Sequence, residues 1–137
     1  MNDNNSLAHT KWNCKYHVVF APKYRRKVFY NEKKEAIREI IRTLCQWKGV
    51  EIIEGEVCPD HIHLLLDCKP QFFISDMIKI MKGNLARQLF LSHPELKREL
   101  WGGHLWNPSY CAVTVSDRSR DQVMAYIEGQ KEKEKRK

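Results

Sequence analysis

The chain has 137 residues, of which 42% are hydrophobic and 30% are charged, and its formal net charge is +7. These values are typical of one globular domain spanning residues 1–137, and the excess of positive charge favours a polyanion such as nucleic acid as partner. No apolar run approaches the ~18 residues that a membrane span requires, and the polar N-terminus lacks an apolar signal core. Five scattered cysteines without a C-x-x-C pair are typical of reduced thiols. We therefore expect a cytoplasmic protein with no membrane partner.

The hydrophobic pattern predicts four strands and three helices. In chain order they are a strand over Lys11–Phe20, a helix between an N-cap at Asn31 and Gly49, a strand over Val50–Val57, a strand over His61–Asp67, a helix that begins near Ile74 or Ser75 and ends before Pro94, a strand over Tyr110–Ser116, and a helix capped by Asp117 or Ser119. Without the last helix this is the split βαβ order of ferredoxin-like α+β folds, in which a four-stranded antiparallel sheet carries two helices on one face. We expect residues 1–10 and 132–137 to be flexible.

Two histidines lie one residue apart in the stretch "CPDHIHLLLD". Because side chains alternate along a strand, Ile62, Leu64 and Leu66 are expected to face the helices. His61 and His63 are then expected on the other, open face, roughly 6.6 Å apart along the strand.

Histidines at positions i and i+2 of a strand can bind one metal ion through neutral imidazole nitrogens. Two alternatives remain open on these residues alone. The histidines could be solvated side chains of a polar sheet face, or they could join a structural zinc site with the flanking Cys58 and Cys68. The second alternative is strained, because Cys58 precedes the Pro-Asp turn and Cys68 should point to the opposite face of the sheet.

Four segments in order carry a resemblance to a known family: "PDHIHLLL", "IKIMKGNLARQLF", "LWGGHLWNPSYCAVTV" and "AYIEGQ". Together they resemble the single-tyrosine transposases of minimal bacterial insertion sequences, the IS200-like TnpA type of HUH (His-hydrophobic-His) nuclease. The resemblance covers roughly residues 10–131, and its ordered set of motifs is far more specific than H-x-H alone.

The resemblance implies that His61, His63 and Gln130 bind Mg²⁺ or Mn²⁺ and that Tyr126 is the nucleophile. Such an enzyme cleaves and rejoins single-stranded DNA at the ends of an insertion sequence through a 5′-phosphotyrosine intermediate. Tyr126 and Gln130 are four residues apart, a spacing that puts two side chains on one helix face. Without the resemblance, Tyr126 is better interpreted as a boundary residue of an amphipathic helix, packed beside Val123 and Ile127.

The resemblance also implies the partners, namely single-stranded DNA with subterminal hairpins and a second copy of the chain. Active sites shared between the two subunits are a further implication, and the sequence leaves open whether Tyr126 acts within its own subunit. Two alternative functions remain: a non-catalytic module that binds single-stranded nucleic acid on its sheet, and a domesticated relative that cuts repeated palindromes.

Several basic and aromatic residues are candidates for DNA contacts through phosphate binding and base stacking. They are Lys23, Tyr24, Arg25, Arg26, Lys27, Lys82 and Arg87. A solvated basic loop is the alternative for the first five of them. Gly83 interrupts the predicted second helix at a cost of about 1 kcal/mol relative to alanine, which predicts either close helix packing or a close approach to DNA.

Overall fold

The computed structural model of the chain describes residues 14–69, 73–100 and 104–136; the side chains of Glu99, Asp117, Arg118 and residues 132–136 are outside this description. Its elements are β1 (Cys14–Phe20), a short 3-10 turn (Lys23–Arg25), α1 (Asn31–Lys48), β2 (Glu51–Cys58), β3 (His61–Cys68), α2 (Ile74–Ser92), α3 (Glu95–Glu99), β4 (Cys111–Val115) and α4 (Asp117–Arg136). Of the segments expected to be flexible, residues 1–10 and 137 lie outside the described residues, and α4 continues through Arg136.

The four strands form one antiparallel sheet in the order β2-β3-β1-β4. Strands β3 and β1 therefore lie in the centre, and β2 and β4 are the edges. This is the predicted ferredoxin-like arrangement, with the first and third strands as neighbours. In the central pair Val19 lies opposite His63, and His17 lies opposite Leu65.

The main core lies between one face of the sheet and helices α1 and α2. As alternation predicted, Ile62, Leu64 and Leu66 are buried in it. The helices contribute the apolar residues at helical spacing, among them Ile37, Ile41, Leu44, Met77, Met81, Leu85 and Leu89. Full burial of such a side chain contributes roughly 1.5–3 kcal/mol, so this layer fixes which face of β3 is left for the histidines.

The ends of α1 differ in how well the sequence located them. Gly49 ends the helix with a left-handed backbone (φ 72°), and its N–H donates to the carbonyls of Cys45 and Gln46, as the glycine predicted. The predicted N-cap is wrong by one residue: Asn31 is the first residue of α1, not its cap. The Tyr30 carbonyl already accepts a hydrogen bond from the Lys33 N–H (3.0 Å), so the first turn begins one residue earlier.

The second face of the sheet is covered by α4, contrary to the expectation that it is open. A small apolar cluster of Leu65, Val115 and Ile127 joins β3, β4 and α4, and all three side chains are buried. Consequently His63 is only 2% exposed. The alternation placed both histidines on the correct face, but the expectation of an open face was wrong because it ignored the packing of the last helix.

No helix in the described ranges is long and apolar enough to cross a membrane.

The packing of α4 can be tested with two substitutions on the same helix. Replacing the fully buried Ile127 by alanine should lower the free energy of unfolding by roughly 2–4 kcal/mol, because the cavity remains between helix and sheet. As the matched control, Gly129→Ala should raise it by up to about 1 kcal/mol, because a Cβ atom there meets nothing within 4 Å. Urea unfolding measures both. An Ile127→Ala variant as stable as the parent chain would contradict the docking of α4.

Candidate active site

The two histidines of β3 face each other through their ring nitrogens. The hairpin turn at Pro59–Asp60 delivers the chain into β3 at His61, and the Nε2 atoms of His61 and His63 lie 2.6 Å apart. Two imidazole nitrogens at this distance can share one proton or one cation between them, because a second proton would collide with the first. The geometry therefore makes the two rings a candidate cation-binding pair, with His63 buried and the side chain of His61 13% exposed.

Asp60 and Arg25 orient His61. The Asp60 carboxylate accepts a hydrogen bond from His61 Nδ1 (2.6 Å), which turns Nε2 toward His63, and Arg25 donates to the other carboxylate oxygen (3.2 Å). Burial alone would raise the pKa of Asp60, but the hydrogen bond and charge of His61, together with Arg25, lower it overall. Asp60 therefore stays ionised, as expected of a carboxylate that orients a candidate metal-ligating histidine.

His63 is held in its neutral form. Burial lowers its pKa to about 4, and the neighbouring charges of His61, His17 and Arg25 act in the same direction. A neutral imidazole has a lone pair available for a metal ion. Its Nδ1 atom is buried and has no hydrogen-bond partner among the described residues, so the only polar contact of the ring is with His61.

Helix α4 brings Tyr126 against His63 of the same chain. The two ring centroids are 5.4 Å apart, and the rings meet edge to face at 77°. Tyr126 is half exposed (52%), so part of the residue faces solvent while its ring contacts the histidine. The sequence left open whether this tyrosine meets its own subunit's histidines, and in this structure it does.

A third imidazole belongs to the same cluster. His17 of β1 stacks on His63 with the rings nearly parallel (5.7 Å, 5°), and it meets the Tyr126 ring at 6.1 Å. Burial lowers the pKa of His17. His17 was not among the residues predicted for this site, although the predicted fold contained the signal: β1 neighbours β3, so alternate residues of β1 share the histidine face.

Gln130 lies one helical turn beyond Tyr126 and is partly buried. The next residue, Lys131, anchors this end of α4 to the sheet: its Nζ atom lies 2.7 Å from the Glu54 carboxylate of β2. Burial alone would raise the pKa of Glu54, but the hydrogen bond from Lys131, helped by Glu128 and the Gly55 N–H, lowers it overall. The ion pair thus fixes the helix register that carries both Tyr126 and Gln130.

The basic loop after β1 has a strained backbone. Tyr24 and Arg25 both adopt positive φ angles (60° and 51°), which cost roughly 1–3 kcal/mol each in non-glycine residues. The Lys23 N–H donates to the Leu105 carbonyl (2.9 Å), and Pro22 pairs with Trp106. These contacts hold a conformation that exposes the Tyr24 ring (66%) and directs Arg25 to Asp60.

The other residues predicted to contact DNA have different surroundings. Lys27 is exposed and Arg26 is partly buried. Lys82 donates to the Asn107 carbonyl (2.9 Å) and the Trp106 indole donates to the Lys82 carbonyl (2.8 Å), so Lys82 joins α2 to the loop before β4. Arg87 is exposed and donates to Asn84 (2.7 Å).

Gly83 lies on the exposed side of α2, and a Cβ atom there would meet nothing within 4 Å. Close helix packing, one of the two reasons predicted for this glycine, is therefore wrong within this chain.

The prediction for the two cysteines that flank the histidines is half right. Cys68 is buried in the main core, on the face opposite the histidines, as expected. Cys58 was judged a strained ligand because it precedes the turn, but its Sγ atom and one nitrogen of each histidine all lie within 4.8 Å of one another. The reason is the hairpin register, in which Cys58 lies directly opposite His61.

The donor set at this site fits a divalent metal. The facing Nε2 atoms supply two nitrogen ligands, and the neutral state of His63 makes its lone pair available. The structure thus joins His61, His63 and Tyr126 in one cluster, with Gln130 one turn further along the same helix. It adds Asp60, Arg25 and His17 around them.

Comparison with known proteins decides the family. The sequence profile of the family described as "Transposase IS200 like" matches residues 10–130. The chain belongs to the IS200-like transposases. It is 46% identical over 123 residues to the ISDra2 transposase TnpA of Deinococcus radiodurans, covering 90% of this chain and 88% of that protein. It is 44% identical over 135 residues to the transposase for insertion sequence element IS200 of Salmonella typhimurium, covering 98% and 88%.

Solved structures agree with this assignment of an IS200-like transposase. A crystal structure of a transposase from Deinococcus radiodurans superposes with a TM-score of 0.71 at 44% identity, covering 86% of this chain and 91% of that chain. A REP-associated tyrosine transposase bound to a REP hairpin superposes with a TM-score of 0.63 at 15% identity, covering 83% and 64%. At that identity the second likeness supports the fold alone.

The anchor between α4 and β2 predicts a pH-dependent stability. Because the pKa of Glu54 is lowered by folding, its ionised form stabilises the fold above the unfolded carboxyl's pKa, about 4.3. This contribution is lost as the pH falls through the folded value. The parent chain should therefore be roughly 0.5–1 kcal/mol more stable than Glu54→Gln at neutral pH, and the difference should shrink from about pH 5 downward.

Urea unfolding at a series of pH values measures this difference. Glu51→Gln is the matched control, since Glu51 is an exposed carboxylate of the same strand and its replacement should change little at any pH. A Glu54→Gln deficit that is the same at acid and neutral pH would show that the charge of Glu54 does not hold the helix.

Proposed function

We propose that this IS200-like transposase cleaves and rejoins single-stranded DNA through a covalent 5′-phosphotyrosine on Tyr126, with a divalent metal held by His61, His63 and Gln130. The observation that carries the proposal is the contact of the Tyr126 ring with His63 inside one chain. This contact places the half-exposed Tyr126, the proposed nucleophile, beside the facing nitrogens of His61 and His63. A non-catalytic binding module needs neither feature, so we favour the enzyme.

In the proposed reaction the Tyr126 oxygen loses its proton and attacks the scissile phosphorus. The bond from phosphorus to the 3′-oxygen breaks, and the departing 3′-oxygen takes up a proton. The product is a tyrosyl phosphodiester at the 5′ side of the cut and a free 3′-hydroxyl. Attack by the 3′-hydroxyl of another strand on the phosphotyrosine reverses these steps and joins the strands without a nucleotide cofactor.

The residues around the cluster have supporting roles in this proposal. The edge contacts of the Tyr126 ring with His63 and His17 limit its orientations, which supplies part of the alignment that in-line attack requires. Asp60 keeps His61 turned toward His63. Arg25, exposed above Asp60, has guanidinium donors to spare for a phosphate.

The metal, Mg²⁺ or Mn²⁺, supplies a Lewis acid that offsets the negative charge developing on the phosphate. Two imidazole nitrogens and one amide oxygen favour manganese over magnesium among these two ions.

The DNA partner in this proposal is a single strand with a hairpin near the insertion-sequence end. Membership of the IS200-like transposases and the net charge of +7 support it. Six residues are proposed to contact this DNA. The exposed ring of Tyr24 would stack on a base, and the basic residues Lys23, Arg26, Lys27, Lys82 and Arg87 would contact phosphates. A homodimer remains part of the proposal; within one chain, Tyr126 already meets its own histidines.

The nucleophile is tested by Tyr126→Phe. The substitution removes one oxygen from a half-exposed ring, so fold and DNA binding should survive while strand cleavage falls below detection. The parent chain mixed with a hairpin-bearing single strand should give a protein–DNA adduct that resists denaturant and is attached through the 5′ side of the cut. Tyr126→Phe should give none, as measured by denaturing electrophoresis.

Tyr30→Phe and Tyr110→Phe are the matched controls, because both rings are exposed and neither residue belongs to α4. Each should keep the adduct. An adduct with Tyr126→Phe would disprove the assigned nucleophile. Cleavage by the parent chain without any adduct would make the protein a metal nuclease that uses water.

The metal site is tested by chelation and by His61→Ala. A chelator should abolish the adduct, and added Mn²⁺ should restore it in the parent chain but not in His61→Ala. His61 is the better target because His63 is almost fully buried and its loss would also leave a cavity. His93→Ala, a change at the end of α2 where the ring contacts Ser92, should behave like the parent. Full adduct formation by His61→Ala in chelator would refute the metal assignment.

A further inference from the structure

Cys58 lies next to the two histidines, as a third side chain with a different preference among metals. It ends β2, lies opposite His61 across the hairpin, and is a reduced, buried thiol (1% exposed). Its sulfur and one nitrogen of each histidine lie within 4.8 Å of one another. The three ligand atoms therefore come from both arms of one rigid hairpin, close to the turn.

The three ligand atoms lie close enough together for one tetrahedral ion to bind them after small side-chain rotations. Zinc bonds of about 2.0–2.1 Å to nitrogen and 2.3 Å to sulfur put two ligand atoms of one tetrahedral ion roughly 3.4–3.7 Å apart. The Nε2 atoms of His61 and His63 lie 2.6 Å apart, closer than that separation, and the Cys58 sulfur lies within 4.8 Å of one nitrogen of each ring. Small rotations of the three side chains adjust both separations. Three protein ligands with a fourth position left for water or a phosphate oxygen is a common arrangement for zinc.

The chemistry of the sulfur separates this ligand set from the one in the proposed function. A thiolate is a soft ligand that selects zinc and similar ions, whereas magnesium and manganese prefer oxygen. In the proposed function, magnesium or manganese at the histidine pair would take the amide oxygen of Gln130 as its third ligand and not the Cys58 sulfur. A thiophilic ion gains a strong third bond by turning to Cys58, and the thiol releases its proton as that bond forms.

We propose that Cys58, His61 and His63 form a binding site for thiophilic divalent ions, Zn²⁺ first among them, and that an ion held there withdraws both histidines from the catalytic metal. The inference rests on the proposed function, since it shares the two histidines, and adds a ligand and a regulatory consequence to it. Zinc bound through Cys58 is an inhibitor of the manganese-dependent reaction.

Cobalt(II) provides a readout that does not depend on DNA cleavage. Titration of the parent chain with Co²⁺ should give a thiolate-to-cobalt charge-transfer band in the near ultraviolet, and Zn²⁺ should remove it by competition. Cys58→Ser should lose the band and bind Zn²⁺ at least about tenfold more weakly by calorimetry. Cys111→Ser, a change at an exposed thiol on β4, should keep both. In adduct assays with Mn²⁺, Cys58→Ser should tolerate more zinc.

The outcomes separate this inference from the proposed function. A band that persists in Cys58→Ser, or Co²⁺ binding to the parent chain with no thiolate band, would overturn the role of Cys58 and leave the histidine pair intact. Absence of any Co²⁺ or Zn²⁺ binding would overturn both. If Cys58→Ser does not fold, cadmium-113 NMR of the parent chain decides: a resonance in the range of one thiolate ligand supports the site, and a nitrogen- and oxygen-only position refutes it.

Discussion

The position of helix α4 across the histidine face of the sheet is the constraint on which the rest of the site depends. An apolar cluster of Leu65, Val115 and Ile127 fixes its middle, and the pair of Lys131 with Glu54 fixes the following turn. Because Tyr126 immediately precedes Ile127 in sequence, the same packing that buries the isoleucine delivers the phenol to His63. It also buries His63 and thereby keeps that imidazole neutral. The packing of α4, the protonation state of His63 and the location of the proposed nucleophile thus have one cause.

The sheet and the face of each β3 residue could be predicted from the sequence because both follow from local periodicity. Alternation alone separated Ile62, Leu64 and Leu66 from the histidines, and Gly49 marked the end of α1 through its backbone freedom. The burial of His63 could not be predicted this way, since it depends on where a helix more than fifty residues later in the chain docks.

The neighbours of the histidines were harder to predict than the histidines. Asp60 was interpreted only as a turn residue, because nothing local says that its carboxylate points along the strand to His61. Arg25 was grouped with four other basic or aromatic loop residues, although its contact with Asp60 is specific. Cys58 was set aside on the grounds of its place before the turn, an argument that the register of the hairpin reverses. The contacts of Arg25 and Cys58 join residues whose proximity only a loop conformation or the strand pairing creates, and the contact of Asp60 with its neighbour His61 depends on the direction of the Asp60 side chain.

The left-handed backbone at Tyr24 and Arg25 lowers the stability of the chain, and the same backbone conformation orients Arg25. Glycine at either position would relieve the steric strain, but it would also remove the aromatic ring or the guanidinium that the conformation presents. Selection or engineering for heat resistance alone would therefore favour changes at these two positions early, and would lose the contact of Arg25 with Asp60 or the exposed ring of Tyr24. A thermostable descendant of this protein is better sought among substitutions in the main core, where stability and chemistry do not compete for the same residues.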